Sequence, residues 1–333
     1  KKYSEIYSNI EIEVIPVLNK DGKFININNF DKQSSFKIFF NNNKNEEIKR
    51  NTLSIKDNIT KIDIIIDYKV KSFSNLFFEC KIIKLVNFKK FYRTNVENMR
   101  AMFQNCDSLE KVKISNYFIN NITYMDNMFL NCYLLNEVDL ININSNKNSS
   151  MNLLFSECHN LKKINFINFN TVNVIDMSYM FKNCSSLIDF NLSNFKTENV
   201  VDMSFMFFGC RSFKKLDLFN FNTNKVINME SMFKSCYSLE KLNISNFCTI
   251  NVNNMESMFH SCSSLKELDI SNFNTGNVTN LNYIFHGCNS LKKLDLSNFN
   301  TENVTTMTCM FFKCAALEDI NGCLNLSKIE DMR

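Results

Sequence analysis

The chain is 333 residues long, with a formal charge of +4, 45% apolar residues, 33 Phe, 13 Cys, 5 Gly, 1 Pro and no Trp. Charges of both signs are interleaved, and no basic stripe carries aromatics, which argues against nucleic-acid recognition. No apolar run approaches the about 18 residues of a membrane-spanning helix, and the residues from Lys1 onward lack the basic-then-apolar pattern of a secretory signal.

Residues 1–58 carry no repeat and are expected to form a β-rich cap or an adjoining domain. Ile10 to Val17 alternates apolar and polar residues, and Phe24 to Ile27 does so again. Asn19-Lys20-Asp21-Gly22 between them reads as a hairpin turn, with glycine available for positive φ. Ser35 to Phe40 is a further strand candidate, Asn41 to Lys49 a polar loop, and Ile62 to Ile66 leads into the first coil of a periodic region. A solenoid end needs a cover of this kind.

From residue 59 to 333 a 26-residue period takes over. Cys80, Cys106, Cys132, Cys158, Cys184, Cys210, Cys236, Cys262, Cys288 and Cys314 lie 26 residues apart without a slip. Such a period denotes stacked coils, about ten here, rather than separate globular cores. The internal copies share N-V-x-x-M-x-x-M-F-x-x-C-x-x-L-x-x-L-D/N-L-S-N-F-x-T-x. Met99, Met102, Phe103 and Cys106 are spaced i, i+3, i+4, i+7, as are Met203, Met206, Phe207 and Cys210, which predicts one short helix per coil. Leu216-Asp217-Leu218 and Leu294-Asp295-Leu296 alternate instead, which predicts one short strand per coil and a parallel sheet.

At the exit from the strand, Asn116, Asn142, Asn168, Asn194, Asn220, Asn246, Asn272 and Asn298 recur. Asn tolerates left-handed backbone and can bond from coil to coil. Phe169, Phe195, Phe221, Phe247, Phe273 and Phe299 come next in the chain and are expected to form an aromatic spine. Departures are local: Asn148 stands where Val recurs, Lys89-Lys90 replaces Ser-Asn, and Gly322 falls at a strand position. Glu330-Asp331-Met332-Arg333 resembles Glu97-Asn98-Met99-Arg100, so the repeat is expected to continue past Arg333.

The consensus resembles the BspA-like leucine-rich repeats, the 26-residue kind first described as a mycoplasma domain of unknown function. The motif stands almost unaltered at Met229 to Val252 and Met255 to Val278, and the likeness covers about residues 59–333. It implies an α/β solenoid coiled right-handedly, and a surface or extracellular protein with an adhesive, protein-binding or coat-forming role. It supplies no catalytic residue.

Candidate sites are few. The cysteines read as a buried ladder of free thiols. A disulfide framework is the rival suggested by their number, but a straight row gives neither disulfide geometry nor four ligands converging on a metal. Cys248, Cys309 and Cys323 lie outside the ladder. His260 and His286 fall one coil apart, in a slot that elsewhere holds Gln104, Leu130, Lys182 and Lys234, and so reads as solvent-facing. With His159 elsewhere, no Ser-His-Asp or Cys-His arrangement can be assembled, and the isolated Gly276 and Gly287 form no phosphate loop. Sequons at Asn58, Asn121, Asn148, Asn183, Asn191, Asn243, Asn277, Asn303 and Asn325 are no more numerous than chance gives. The outward strand row is the leading partner-binding candidate: Lys113, Asp139, Asn165, Asn191, Asp217, Asn243, Asp269, Asp295 and Asn321. Its recurrence favours a solvated ladder that merely holds the coils, because a ligand site should vary between coils, and it lacks the clustered oxygens a Ca²⁺ ion needs.

These readings give a non-enzymatic solenoid without cofactor, metal or membrane span. Its expected partner is a protein or glycan, and the alternative is neighbouring copies in a fibre or coat built end to end.

Overall fold

The computed structural model of the protein describes residues 9–27, 35–67, 69–91, 95–114, 122–143, 147 and 149–324. The expectations at Asn116, Asn121, Asn148, Asn325 and Glu330–Arg333 lie outside these residues. The chain forms two compact units, one of Lys1–Ser149, Leu153–Thr171 and Asp189–Asn191, the other of Ser150–Asn152, Val172–Ile188 and Leu192–Arg333.

The first unit holds β1 (Ile10–Pro16), β2 (Gly22–Lys23), β3 (Phe36–Phe40), β4 (Thr52–Leu53), β5 (Ile62–Ile66), β6 (Ile83–Lys90), β7 (Lys111–Ile114), β8 (Glu137–Ile141), β9 (Lys163–Ile167) and β10 (Asp189–Phe190). β6 to β10 are the strands of successive coils. They pair in parallel in steps of one period, Leu85 with Lys111, Lys111 with Glu137, Glu137 with Lys163 and Lys163 with Asp189. β1 alternates buried and partly exposed residues and lies antiparallel to β6, so it closes the edge that the first coil would leave open. β5 pairs with the other side of β1 and β3 with β5, giving one sheet ordered β10-β9-β8-β7-β6-β1-β5-β3.

The hairpin expected at Asn19–Gly22 does not form. Both edges of β1 are already taken by β5 and β6, which leaves no edge for a hairpin partner. The turn instead delivers β2 to β4, where Gly22 pairs with Leu53, and Phe24–Ile27 runs outside any strand.

The second unit holds β11 (Lys215–Asp217) and β12 (Lys241–Asn243), paired in parallel, and β13 (Lys293–Asp295) and β14 (Asp319–Asn321), likewise paired. Glu267–Asp269, at the same place in the intervening coil, joins neither pair.

The predicted helix is absent: among the described residues no α-helix forms, and its place in each coil is taken by consecutive turns. The hydrogen bonds give the reason. Met102, Gln104 and Cys106 donate their N–H back three residues, to Met99, Ala101 and Phe103. Met99, Ala101, Phe103 and Asn105 donate to the next coil instead, at Tyr124, Asp126, Met128 and Leu130, over 2.8–2.9 Å. Met229 to Cys236 repeats the scheme in the second unit. An α-helix sends every N–H four residues back, whereas here alternate ones serve the neighbouring coil. Two left-handed residues four apart enforce the break, such as Ala101 (φ 51°) with Asn105 (φ 61°) and Ser231 (φ 52°) with Ser235 (φ 63°).

The apolar face predicted for the helix survives. Met229, Met232, Phe233 and Cys236 are fully buried, as are Met99, Met102, Phe103 and Cys106. The rings of Phe77, Phe103, Phe129 and Phe155 stack nearly parallel with centroids 5.2–5.3 Å apart. In the second unit Phe181, Phe207, Phe233, Phe259, Phe285 and Phe311 do so at 5.5–5.9 Å. The strand-exit residues Phe169, Phe195, Phe221, Phe247, Phe273 and Phe299 are buried too. The continuous ring stack is therefore the column beside the cysteines, which the spacing alone assigns only to a helix face.

Candidate functional site

The recurrent Asn and Thr residues of the corners serve the coil below or above them. Asn220 donates its amide to the carbonyls of Leu192, Ser193 and Phe195. Asn246 and Asn272 repeat this one coil on, at Phe219 and Ser245. The buried hydroxyls of Thr223 and Thr249 each clamp one peptide of the next coil. Thr223 donates to the Cys248 carbonyl at 2.8 Å and accepts from its N–H at 2.8 Å, and Thr249 does the same with Asn274. Asn251, Asn277 and Asn303 donate to the carbonyls of Asn224, Ile250 and Gly276. These rows satisfy backbone groups that the turns leave over.

The cysteines do more than fill space. In the first unit the thiols of Cys106, Cys132 and Cys158 donate to the carbonyls of Phe77, Phe103 and Phe129 at 2.9, 3.0 and 3.1 Å. In the second, Cys210, Cys236, Cys262, Cys288 and Cys314 do so to Phe181, Phe207, Phe233, Phe259 and Phe285 at 3.0–3.2 Å. A buried apolar methyl would fit the slot but could not donate. Burial holds these thiols protonated: it pushes Cys262 up to about 12 and Cys80, Cys132 and Cys210 higher. Outside the ladder, Cys248 and Cys309 are partly exposed and Cys323 is exposed.

His260 and His286 sit side by side, in a slot that is partly open to solvent rather than wholly exposed. The rings stack with centroids 4.4 Å apart and 10° between planes, both are partly buried, and Phe312 continues the stack at 5.3 Å. Burial, then the Lys234 ammonium and His286, lower His260 to about 4, and burial and Lys313 lower His286. Stacked rings direct their nitrogens side by side rather than toward one point. Among the described residues no group of three or more His, Cys, Asp or Glu is placed to hold a metal ion.

The outward strand row faces solvent: Asn191, Asp217, Asp269, Asp295 and Asn321 are exposed, and Lys113, Asp139, Asn165 and Asn243 partly so. Neighbours in the row bond to each other, Asn165 to Asp139 in the first unit and Asn243 to Asp217 at 2.9 Å in the second. Asp269 and Asp295 instead hold the Ser271 and Ser297 hydroxyls at 2.7 and 2.5 Å. Flanking charges pair from coil to coil, Lys84 with Glu110, Lys163 with Asp189 and Lys293 with Asp319, at 3.4–3.5 Å.

On the second unit the row borders a groove of about 640 Å³, lined by Lys266 to Asp269, Lys292 to Asp295, Asp319 and Asn321. It lies where Glu267–Asp269 leaves the parallel ladder. No sequence signal marks it, since Leu268-Asp269-Ile270 fits the repeat consensus. Among the described residues no helix is long and apolar enough to cross a membrane.

A family model described as Mycoplasma protein of unknown function, DUF285, matches residues 71–166, 149–242 and 238–333. Among solved structures, the chain is similar to a leucine rich cell surface protein from Faecalibacterium prausnitzii A2-165, with 17% identity over 81% of this chain and 85% of that one, at a TM-score of 0.32. It is also similar to an internalin from Listeria monocytogenes, with 12% identity over 71% of this chain and 86% of that one, at a TM-score of 0.24. Comparison with curated proteins gives no match.

Proposed function

The chain belongs to the family described as Mycoplasma protein of unknown function, DUF285, and from that premise we propose that it is a non-catalytic protein-binding module of a cell-surface or extracellular protein. The observation that carries this reading is the outward strand row, which reaches solvent at Asp139 and Asn165 on the first unit and at Asp217, Asp269 and Asp295 on the second, where it borders the groove at Lys266–Asn321. A row of short strands with solvent-facing carboxylates and amides offers a lateral surface whose area grows with coil number, as solenoid binding surfaces do. The titratable groups suit this role better than chemistry. The thiols that donate to the Phe carbonyls are held protonated by burial, and His260 and His286 are stacked with their pKa values lowered.

The test is surface plasmon resonance of the chain over immobilised fibronectin, laminin and mucin, against a variant carrying Asp217→Ala, Asp269→Ala and Asp295→Ala. Saturable binding to at least one, weakened tenfold or more in the variant, supports the reading; at about 1.4 kcal/mol per decade, three exposed polar contacts suffice for that. Binding to none, together with sedimentation showing growth into chains with concentration, would favour the end-to-end assembly instead.

A further inference from the structure

Two slots in the turn run break the repeat, and they break it together. The first left-handed slot holds Ser231 and Ser257 in two neighbouring coils, but Tyr179 (φ 58°), Phe205 (φ 56°) and Tyr283 (φ 57°) in the coils around them. Bulky side chains are poorly suited to that backbone, and these three lie on the surface rather than in the core. The slot just before it holds Ser178, Ser204, Asn282 and Thr308, yet Glu230 and Glu256 where the serines leave room. All of these residues belong to the second unit.

The chemistry of this patch is specific. Tyr179 and Phe205 stack at 4.6 Å, with Phe208 5.8 Å from Phe205. Lys182 already lies over the rings of Tyr179 and Phe208, at 5.7 and 5.9 Å, so these rings accept a cation. Glu230 and Glu256 each have one oxygen held by an amide of the next coil, from Asn254 at 3.0 Å and Asn280 at 2.7 Å. Among the described residues, the other oxygen of each accepts nothing, and neither carboxylate has an ion-pair partner. Glu230 and the nearby Asp202 act electrostatically on Tyr179, and Lys234 acts on Glu230 from beyond ion-pair distance, so the three carboxylates of Glu230, Glu256 and Asp202 outnumber the two ammonium groups of Lys182 and Lys234 on this face.

Resting on the protein-binding reading above, we infer that this turn face of the second unit docks an arginine-bearing peptide segment, whose guanidinium groups lie on the Tyr179–Phe205 rings and pair with Glu230 and Glu256. Guanidinium meets both demands at once, being planar for stacking and forked for a carboxylate. An ammonium can also lie over a ring, as that of Lys182 does, but it has neither the plane to stack nor the fork to grip a carboxylate, and an acidic or neutral chain meets neither demand.

The test is fluorescence anisotropy of the full chain with three labelled ten-residue peptides, alternating Ser with Arg, with Lys or with Glu, in 50 and 300 mM NaCl. The Arg peptide should bind about threefold or more tighter than the Lys peptide, and more weakly in high salt. The Glu peptide should not bind. Glu230→Gln with Glu256→Gln should weaken the Arg peptide about fivefold or more. Tyr179→Ser with Phe205→Ser, which installs residues that sister coils carry in the same slot, should do likewise. Glu198→Gln with Glu302→Gln, an equal charge change elsewhere, should leave binding as it was. Equal binding of all three peptides, or no effect of either pair of variants, overturns the inference. So does binding of chitotetraose that needs Tyr179 and Phe205 but not the two glutamates, which would make the face a glycan site. Absence of Arg-peptide binding by the unaltered chain, with matrix-protein binding through the strand row intact, refutes the inference and leaves the broader reading standing.

Discussion

Replacing Phe233 tests whether the ring column stabilises the coils by stacking or only by filling space. Phe233 is fully buried between Phe207, at 5.7 Å and 2°, and Phe259, at 5.8 Å and 8°. Phe233→Ala removes the whole ring and should cost about 3–5 kcal/mol. Phe233→Leu keeps most of the apolar volume but ends two stacked contacts, each worth about 0.5–1.5 kcal/mol beyond area, so it should cost about 1–3 kcal/mol. The double variant with Phe259→Leu should be less costly than the two singles summed, by about one such contact. Urea unfolding followed by circular dichroism gives the free energies. Phe233→Leu costing under about 0.5 kcal/mol, with no coupling to Phe259, would mean that the parallel rings are a by-product of the period and contribute nothing as rings.

Other consequences can be checked in the same way. Thr223→Val should destabilise more than Thr223→Ser, by about 1 kcal/mol, although Val is the more apolar, because only Ser keeps the clamp on the Cys248 peptide; urea midpoints would show the order. Gly209→Ala should destabilise by about 1–2 kcal/mol, since φ is +70° and the new Cβ would collide with Asn183 Oδ1, while Gly276→Ala, with 3.1 Å to Asn274 Oδ1 and no positive φ, should be nearly silent. For His260 the folded pKa lies below the unfolded one, so the unfolded chain takes up the proton first. Stability should therefore be full above about pH 6.5 and fall as pH drops through about 4. Thermal midpoints of His260→Gln, which borrows the residue of Gln104, should fall less over that window. The Leu268 amide should exchange with deuterium faster than those of Leu242 and Leu294, because Glu267–Asp269 lies outside both parallel pairs; equal protection would place it in the ladder.

The period is plain from the cysteines, and alternation beside it gives the strand of every described coil but that of Glu267–Asp269, and the buried Met-Phe-Cys face. The turn run is not, because helix and chained turns share the spacing of Met99, Met102, Phe103 and Cys106. What separates them is backbone handedness, and its trace is present: Asn75, Asn105, Asn127, Asn131, Asn183, Gly209 and Gly287 occupy the two left-handed slots. Ala101, Leu153 and Phe205 at the same slots blur that signal. The cap is legible as strands but not as topology, since β1 meets β6 across some seventy residues and nothing local names that partner. The strand row is legible as outward-facing by alternation alone. The acidic-aromatic face escapes because consensus reasoning keeps what recurs, and Tyr179, Phe205, Glu230 and Glu256 are informative by not recurring.

The hydrogen bonds of the turn run have a mechanical consequence. Almost every contact of a coil is with its two neighbours, so tension along the chain loads one coil at a time rather than the whole fold. A coil peeled away releases its 26 residues, which at full extension reach about 90 Å where the stack had given about 5 Å. Each such release lets go of one Phe carbonyl and uncovers one thiol until then kept protonated in the dark of the core. The ladder is thus a tally of how far the chain has been drawn out, countable by a thiol-reactive dye under load.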